Sequence, residues 1–267
     1  MTEIWVADAP NGMLSPSDRA LAYGDGLFAT MLSSGGAIQF LDIHLRRLHD
    51  GAARLGFSWT AGEALRSHLV QLAIQHPAHC IKLLLSRGSG GRGYQPPTSP
   101  QPVLLISIHP LPSHYQQWQQ QGIKLVRTQV QLGHQPLLAG IKHLNRLEQV
   151  LIKTTIPSGV EDVWVQDCDG QVIESSIGNL FFISGERVMT PALSYCGVAG
   201  VMRQQIMEQL LDMGLNVTAT AVSPQLMFSA NHILMSNSLL GAVAVTGVDN
   251  MDYQPWPRLP ELCHKLS

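Results

Sequence analysis

Ala139-Gly140-Ile141-Lys142-His143-Leu144-Asn145-Arg146-Leu147-Glu148 sets one lysine between an apolar run and the start of a helix. Pro136 to Ile141 offers it no counter-charge, and Leu144, Leu147 and Leu151 recur beyond it at helical spacing, so the pattern delivers Lys142 into a junction facing the core. Desolvation there disfavours an ammonium and lowers its pKa, the condition under which an amine attacks an aldehyde and holds it covalently. On spacing alone, a lysine whose stem lies along the core while its head reaches water is the commoner arrangement. The other motifs of the chain decide between the two.

With 267 residues and 45% hydrophobic content, the chain can build one large or two modest cores, and a formal net charge of -2 gives no reason to expect nucleic acid. No apolar run approaches the ~18 residues of a membrane span, and Met1 to Asp8 shows neither a basic nor an apolar leader region. A cytoplasmic protein with no membrane partner is expected. Cys80, Cys168, Cys196 and Cys263 stand far apart without C-x-x-C spacing, which suits reduced, buried thiols rather than a disulfide framework or a zinc site. The histidines form no H-E-x-x-H, so no metal is expected.

In chain order, Gly24-Asp25-Gly26 is turn chemistry, and Leu27, Ala29 and Met31 alternate beyond it as a strand. Ser34-Gly35-Gly36 turns the chain into a second strand, Ala37 to Leu41. Asp42 is placed to N-cap a helix whose Leu45, Leu48, Ala52 and Leu55 form a buried stripe before Gly56 stops it. Cys80 to Ser86 and Val103 to His109 read as strands. Between them, Arg87-Gly88-Ser89-Gly90-Gly91-Arg92-Gly93-Tyr94 satisfies G-x-G-x-x-G, but Gln95-Pro96-Pro97-Thr98-Ser99-Pro100 forbids the helix that a dinucleotide turn must open. The glycines instead let a loop's backbone approach a ligand, with Arg87 and Arg92 supplying positive charge.

Pro110-Leu111-Pro112-Ser113 and the Gln-rich stretch that follows mark a change of composition, placing the boundary between domains 1–112 and 113–267. Strands are expected at Ile123 to Thr128, Val160 to Gln166, Val172 to Glu174 and Asn179 to Ile183, with the lysine helix running to about Thr155. Gly197 to Arg203 leads into a helix carrying Val201, Ile206, Leu210 and Leu211, and such a glycine-flanked helix start is a ready phosphate site. Ile233 to Leu239 reads as strand then loop. The Pro-rich tail from Tyr253 carries no reading.

The lysine stretch resembles the lysine segment of the fold-type-IV pyridoxal-phosphate enzymes, and within them most resembles the aminodeoxychorismate lyases. Asp18-Arg19 with Tyr23-Gly24-Asp25-Gly26 and Phe28, His44-Leu45-Arg46-Arg47-Leu48, Glu174 with Asn179-Leu180-Phe181, Gly197 with Gly200-Val201-Met202-Arg203, and Ser236-Asn237-Ser238 are similar to further stretches of the same family. The resemblance implies an α/β (α+β) protein of two domains, acting as a homodimer, with pyridoxal 5'-phosphate at the domain interface. Lys142 would carry the cofactor covalently. Arg47 would hold its phosphate with a bidentate fork that lysine cannot copy. Glu174 would pair with the pyridine nitrogen and keep the ring an electron sink. Val201 and Met202 would present backbone to the phosphate, Ser238 a hydroxyl, and Asn145 belongs to the same cofactor-binding set. Tyr23 would line the substrate side.

The segment from Arg87 to Tyr94 is similar to a stretch typical of the lyase branch, where Arg87 and Arg92 would meet a substrate with two carboxylates. Ala199 stands where those lyases often carry Asn, a departure that removes a polar contact. The implied activity is conversion of 4-amino-4-deoxychorismate to 4-aminobenzoate and pyruvate, a step of folate biosynthesis. A transaminase of D-amino or branched-chain amino acids would share Lys142, Arg47 and Glu174. A cofactor- or nucleotide-binding module without chemistry would need no lysine.

Overall fold

Alternation in Leu27, Ala29 and Met31 is realised as the buried face of a strand, and the first of two compact units is built on it. The computed structural model describes residues 3–6 and 14–267, so the leader reading of residues 1–8 falls largely outside the described residues. The chain divides into one unit of Met1–Leu111 with Ile141–Asn145 and a second of Pro112–Gly140 with Arg146–Ser267.

The first unit contains β1 (Glu3–Val6), α1 (Arg19–Tyr23), β2 (Gly26–Ser34), β3 (Ala37–Ile38), α2 (Leu41–Arg54), α3 (Glu63–Gln75), β4 (Ala78–Ser86) and β5 (Val103–Pro110). Its sheet is antiparallel in the order β1-β5-β4-β2-β3. Leu45, Leu48 and Ala52 of α2 pack with the inward residues of β2 and with Ile81, Leu83 and Leu85 of β4. Asp42 does not cap α2. The helix starts at Leu41, after an N-cap at Phe40 in the left-handed conformation (φ 55), and Asp42 in its first turn pairs with Arg66 of α3.

The lysine segment also departs from expectation, which placed it in the second domain. Phe28 N donates to Lys142 O and Leu144 N to Gly26 O, both at 3.0 Å, and Ile141 joins the first core. The segment occupies the edge of β2 opposite β4, where residues 26–28 would otherwise leave main-chain groups unpaired.

The turn before β2 is held by charge. Arg19 Nε and Arg87 Nε each donate to Asp25 Oδ2 at 2.7 Å, and both arginines are buried. Arg87 also donates from Nη2 to Leu55 O at 2.7 Å and from Nη1 to Gly56 O at 3.3 Å, with its guanidinium over the ring of Phe57.

The second unit contains α4 (Tyr115–Gln121), β6 (Ile123–Arg127), α5 (Leu147–Thr154), β7 (Asp162–Gln166), β8 (Val172–Ser175), β9 (Asn179–Ser184), β10 (Arg187–Pro191) and α6 (Val201–Asp212). It continues through β11 (Asn216–Thr220), α7 (Pro224–Phe228), β12 (His232–Asn237), β13 (Gly241–Val248), β14 (Met251–Asp252) and α8 (Leu259–Leu266). Six strands, β9-β12-β13-β6-β7-β8, close on themselves because β8 pairs back to β9 at Glu174 and Asn179. Ile123, Leu125, Trp164, Val172, Leu180, Phe182, Ile233, Met235, Val243 and Val245 form the core of this ring.

Helix α5 corrects the reading of its leucines. Leu147 is 78% and Leu151 56% exposed, and Ile152 is the residue of α5 that is buried, joining Val163 and Val165. The Pro-rich tail is structured: Trp256 is buried, and α8 buries Leu262 and Leu266. No helix among the described residues is long and apolar enough to cross a membrane.

Burial alone would raise the pKa of Asp25, but the hydrogen bonds and charges of Arg87 and Arg19 outweigh it and hold the carboxyl below the ordinary aspartate value. A carboxyl more acidic in the folded than in the unfolded chain contributes stability above about pH 4, and loses it as pH falls through the folded pKa. Asp25→Asn is therefore expected to cost about 2–3 kcal/mol at neutral pH, because two buried guanidinium groups lose their anion. Denaturant titrations from neutral pH downwards should show the gap between the two proteins closing once wild-type Asp25 is protonated. A constant gap would mean that the charge of Asp25 is not what stabilises the turn.

Candidate functional site

In the first unit, the main-chain pairing with β2 fixes Lys142 and lays its Nζ 4.5 Å from the centroid of the Phe28 ring. The side chain is half-buried. On α2, Arg46 is exposed, whereas Arg47 lies inward with its Nε buried, and burial brings its pKa down to about 10. It therefore keeps its charge at neutral pH. His44, one helical turn before Arg47, is fully buried, and among the described residues neither of its ring nitrogens has a hydrogen-bond partner. Burial first, then the charges of Arg47 and Lys142, push its pKa well below the ordinary histidine value, so this ring is neutral. Sequence reading passed over His44, although its three-residue spacing from Arg47 places both on one helix face.

Asn145 donates from Nδ2 to Gly24 O at 3.1 Å. Gly24 takes φ 63 to end α1, and a Cβ there would lie 2.6 Å from Asn145 Oδ1. The structure thus makes Asn145 a clasp on the turn, where the resemblance implied a cofactor contact. Arg87 is likewise redirected: its guanidinium is occupied by Asp25 and by the end of α2, so it does not offer charge to a substrate. Arg92 is exposed on the loop. Tyr23 accepts a hydrogen bond from Gly93 N through its hydroxyl at 3.1 Å.

In the second unit, Glu174 is a buried carboxylate on β8. Val198 N donates to its Oε2 at 2.9 Å, while Val198 O accepts from Asn179 Nδ2 at 2.8 Å, so two side chains of one strand pair grip both sides of a single residue. Gly140 N donates to Gly197 O and Ala199 N to Gly140 O, which pins the same loop from its other side. Gly200 then N-caps α6 without a side-chain cap, and a Cβ on it would lie 2.3 Å from Asn179 Oδ1. The helix start thus carries unpaired N–H groups, with Val201 and Met202 buried behind it and no acidic residue in its first turn.

Helix α6 packs on β12, which ends in Ser236-Asn237 before Ser238. Asn237 Oδ1 accepts from Leu239 N and Leu240 N, shaping the turn that Ser238 occupies. Ser236 is buried, and its Oγ has no hydrogen-bond partner among the described residues. Arg146, also missed in the sequence, lies within electrostatic reach of Glu174: burial lowers its pKa, and the charges of Glu174 and Glu148 oppose that. An uncapped helix start, an orphaned serine hydroxyl on the strand beneath it and a buried carboxylate next door make a donor set for a dianionic phosphate and an acceptor for a protonated ring nitrogen. These residues fit a phosphorylated pyridine cofactor.

Comparison with known proteins agrees with that chemistry. The family model described as amino-transferase class IV matches residues 26–248. The chain belongs to the class IV aminotransferase family. It is 36% identical to a protein of Vibrio harveyi named aminodeoxychorismate lyase, over 91% of this chain and 90% of that one. It is 25% identical to a D-alanine aminotransferase of Bacillus licheniformis, over 87% of this chain and 82% of the relative. Among solved structures, it is similar to 4-amino-4-deoxychorismate lyase from Pseudomonas aeruginosa, with a TM-score of 0.92 and 35% identity, covering 99% of this chain and 98% of that one. Two-domain, mixed α/β architecture of this family is what the sheets and helices above display.

Two of the four cysteines, Cys168 and Cys196, unexpectedly gather around one histidine. His134 Nε2 lies 3.0 Å from Asp167 Oδ2 and its ring stacks on Tyr195, with Cys168, Asp169 and Cys196 close by. Asp167 Oδ1 meanwhile accepts from Asp169 N and Gln171 N, so its carboxylate serves the β7–β8 turn. Cys168 is exposed, contrary to the expectation of buried thiols, because that turn places it at the tip.

The grip on Val198 separates two substitutions. Glu174→Gln keeps an oxygen that accepts from Val198 N and should leave stability within about 1 kcal/mol, whereas Glu174→Ala leaves that N–H unsatisfied and should cost roughly 1–3 kcal/mol. Thermal or denaturant unfolding of the two variants checks this, and equal losses would show that the hydrogen bond does not hold the loop.

Proposed function

We infer that the protein is a pyridoxal-phosphate-dependent lyase that converts 4-amino-4-deoxychorismate into 4-aminobenzoate and pyruvate. The observation that carries the cofactor reading is the buried Glu174 carboxylate, fixed beside the uncapped start of α6. The lyase is favoured over the transaminase by degree of likeness, 36% identity to the Vibrio harveyi lyase against 25% to the D-alanine aminotransferase. The residues proposed to hold the cofactor are Lys142, Arg47, Glu174, Val201, Met202 and Ser238.

Bound pyridoxal phosphate supplies an electron sink that acidifies the carbon bearing the substrate nitrogen. Lys142, as a neutral amine, takes the proton from that ring carbon and returns one to the departing enolpyruvate, while loss of enolpyruvate leaves the substrate ring aromatic. Main-chain bonds between its segment and β2 hold Lys142 in place, with its Nζ over the face of Phe28. Glu174 keeps the cofactor's ring nitrogen protonated. Arg47 gives the phosphate a planar fork, and the main chain of Val201 and Met202 with the Ser238 hydroxyl completes its donors.

A homodimer is part of the same proposal. Leu147, Val150 and Leu151 lie three and four residues apart on one face of α5, all more than half exposed. A second copy of the chain is the occupant proposed for that face. The described cysteines are all unpaired thiols, which supports a reducing, cytoplasmic setting.

Incubating the protein with pyridoxal phosphate and 4-amino-4-deoxychorismate should release 4-aminobenzoate. Lys142→Ala should lose the visible absorbance of the loaded enzyme and slow turnover by at least the ~10²–10⁴ that one acid–base group supplies. A near-normal rate in that variant would remove Lys142 from the mechanism. Leu147→Glu with Leu151→Glu should shift the wild-type dimer toward monomer in sedimentation, and an unchanged dimer would place the interface elsewhere.

A further inference from the structure

Arg19 is buried, and each of its side-chain nitrogens has a protein acceptor. Besides the Nε bond to Asp25, Nη2 donates to Tyr94 O at 3.0 Å and Nη1 lies 3.3 Å from both Gly93 O and Gln95 O. Three consecutive carbonyls of the glycine-rich loop thus converge on one guanidinium. The same group lies 4.8 Å from the centroid of the Tyr23 ring, whose hydroxyl accepts from Gly93 N and which packs in a T-shaped pair with Tyr94, centroids 5.5 Å apart. At the loop's other end, Arg19 N donates to Gly88 O and Gly90 N to Ser17 O. The segment from Gly88 to Gln95 is therefore bound at both ends to residues 17–23, and exposed Arg92 sits between the anchored ends.

A stretch with four glycines in six residues, 88–93, loses much conformational freedom when it is held in one shape. A planar group with five donors can hold three carbonyls together, whereas a lysine ammonium offers one point charge. We propose that Arg19, braced by Asp25 and Tyr23, is a positioning residue that pre-sets the 88–95 loop and so fixes the reach of Arg92 to a carboxylate of the substrate. This rests on the lyase reading for the identity of the substrate. It assigns to α1 a part in substrate selection, with Arg87 as a prop of the same turn. Loop order established before binding lowers the cost of capturing a dianion and leaves the chemical step alone, so the expected effect is on KM.

The test uses full-length enzyme loaded with pyridoxal phosphate, comparing wild type with Arg19→Lys, Tyr23→Phe, Arg92→Ala and the combination of Arg19→Lys with Arg92→Ala. Cleavage by trypsin after Arg92, followed by mass spectrometry, reports the loop directly and should quicken about tenfold in Arg19→Lys, a shift of the size one lost hydrogen-bonded anchor produces. KM for 4-aminobenzoate formation should rise about tenfold with kcat within about twofold, and adding Arg92→Ala should raise KM little further, since the loop no longer presents that side chain. Independent, multiplying effects of the two substitutions, or an unchanged cleavage rate after Arg92, would overturn the proposal. Should Arg19→Lys not fold, Tyr23→Phe, which keeps the ring and removes only the acceptor for Gly93 N, must show the same pattern at smaller size. Wild-type enzyme that releases no 4-aminobenzoate would remove the lyase reading and the substrate part of the proposal, while the cleavage rates still decide whether Arg19 holds the loop.

Discussion

One carboxylate oxygen, Oδ2 of Asp25, accepts from two arginines, and three parts of the first unit take their positions from it. Through Arg87 it reaches the carbonyls that end α2, the helix that bears His44 and Arg47. Through Arg19 it reaches the loop that follows β4. The glycines on either side of it give their carbonyls to Asn145 and Leu144, which closely follow Lys142 in the chain. Two cations against one anion would be a costly arrangement in a buried place if the guanidinium groups had nothing else. Each also has main-chain carbonyl acceptors, and that is what makes the unequal charge tolerable.

The second unit holds its own buried carboxylate mainly through the main chain at the seam of its sheet. Its six-strand ring closes where Glu174 meets Asn179, so the strand pair that completes the architecture is also the pair that grips Val198. Closure leaves the ring without an edge at this point, and a residue at a closed seam has little room to drift. Glu174 can consequently be held as a buried acceptor by a main-chain N–H, with Arg146 providing the positive field around it.

Period-two and period-three-to-four patterns carried much of the fold in the sequence. Leu27, Ala29 and Met31, and Leu45, Leu48 and Ala52, are buried as their spacing demanded. The same logic misjudged Leu147 and Leu151, since periodicity shows that a helix has an apolar face and says nothing about what that face meets. The lysine segment joined the first unit through main-chain bonds, which leave no mark on side-chain pattern. Arg87 looked available because its anion lies 62 residues earlier, and pairings across that separation cannot be read from local charge. Glu174 was legible only through a motif, because a glutamate at a strand end is ordinarily solvated. Arg19, His44 and Arg146 stood inside or beside recognised motifs, but their burial depends on neighbours brought in by the fold.

That five residues from beyond position 140 belong to the first unit has a consequence for synthesis. A ribosome has made everything else in that unit by Leu111, yet the edge of β2 lacks its partner until Asn145 has been translated. At ~5–20 residues per second, that is a wait of a few seconds, during which the amides and carbonyls of residues 26–28 have no strand to pair with. The nascent chain must protect this edge with water or a chaperone. The arrangement also ties completion of the first unit to the growth of the second, so a truncated product that ends near Leu111 would lack both Lys142 and the segment that pairs with the edge of β2.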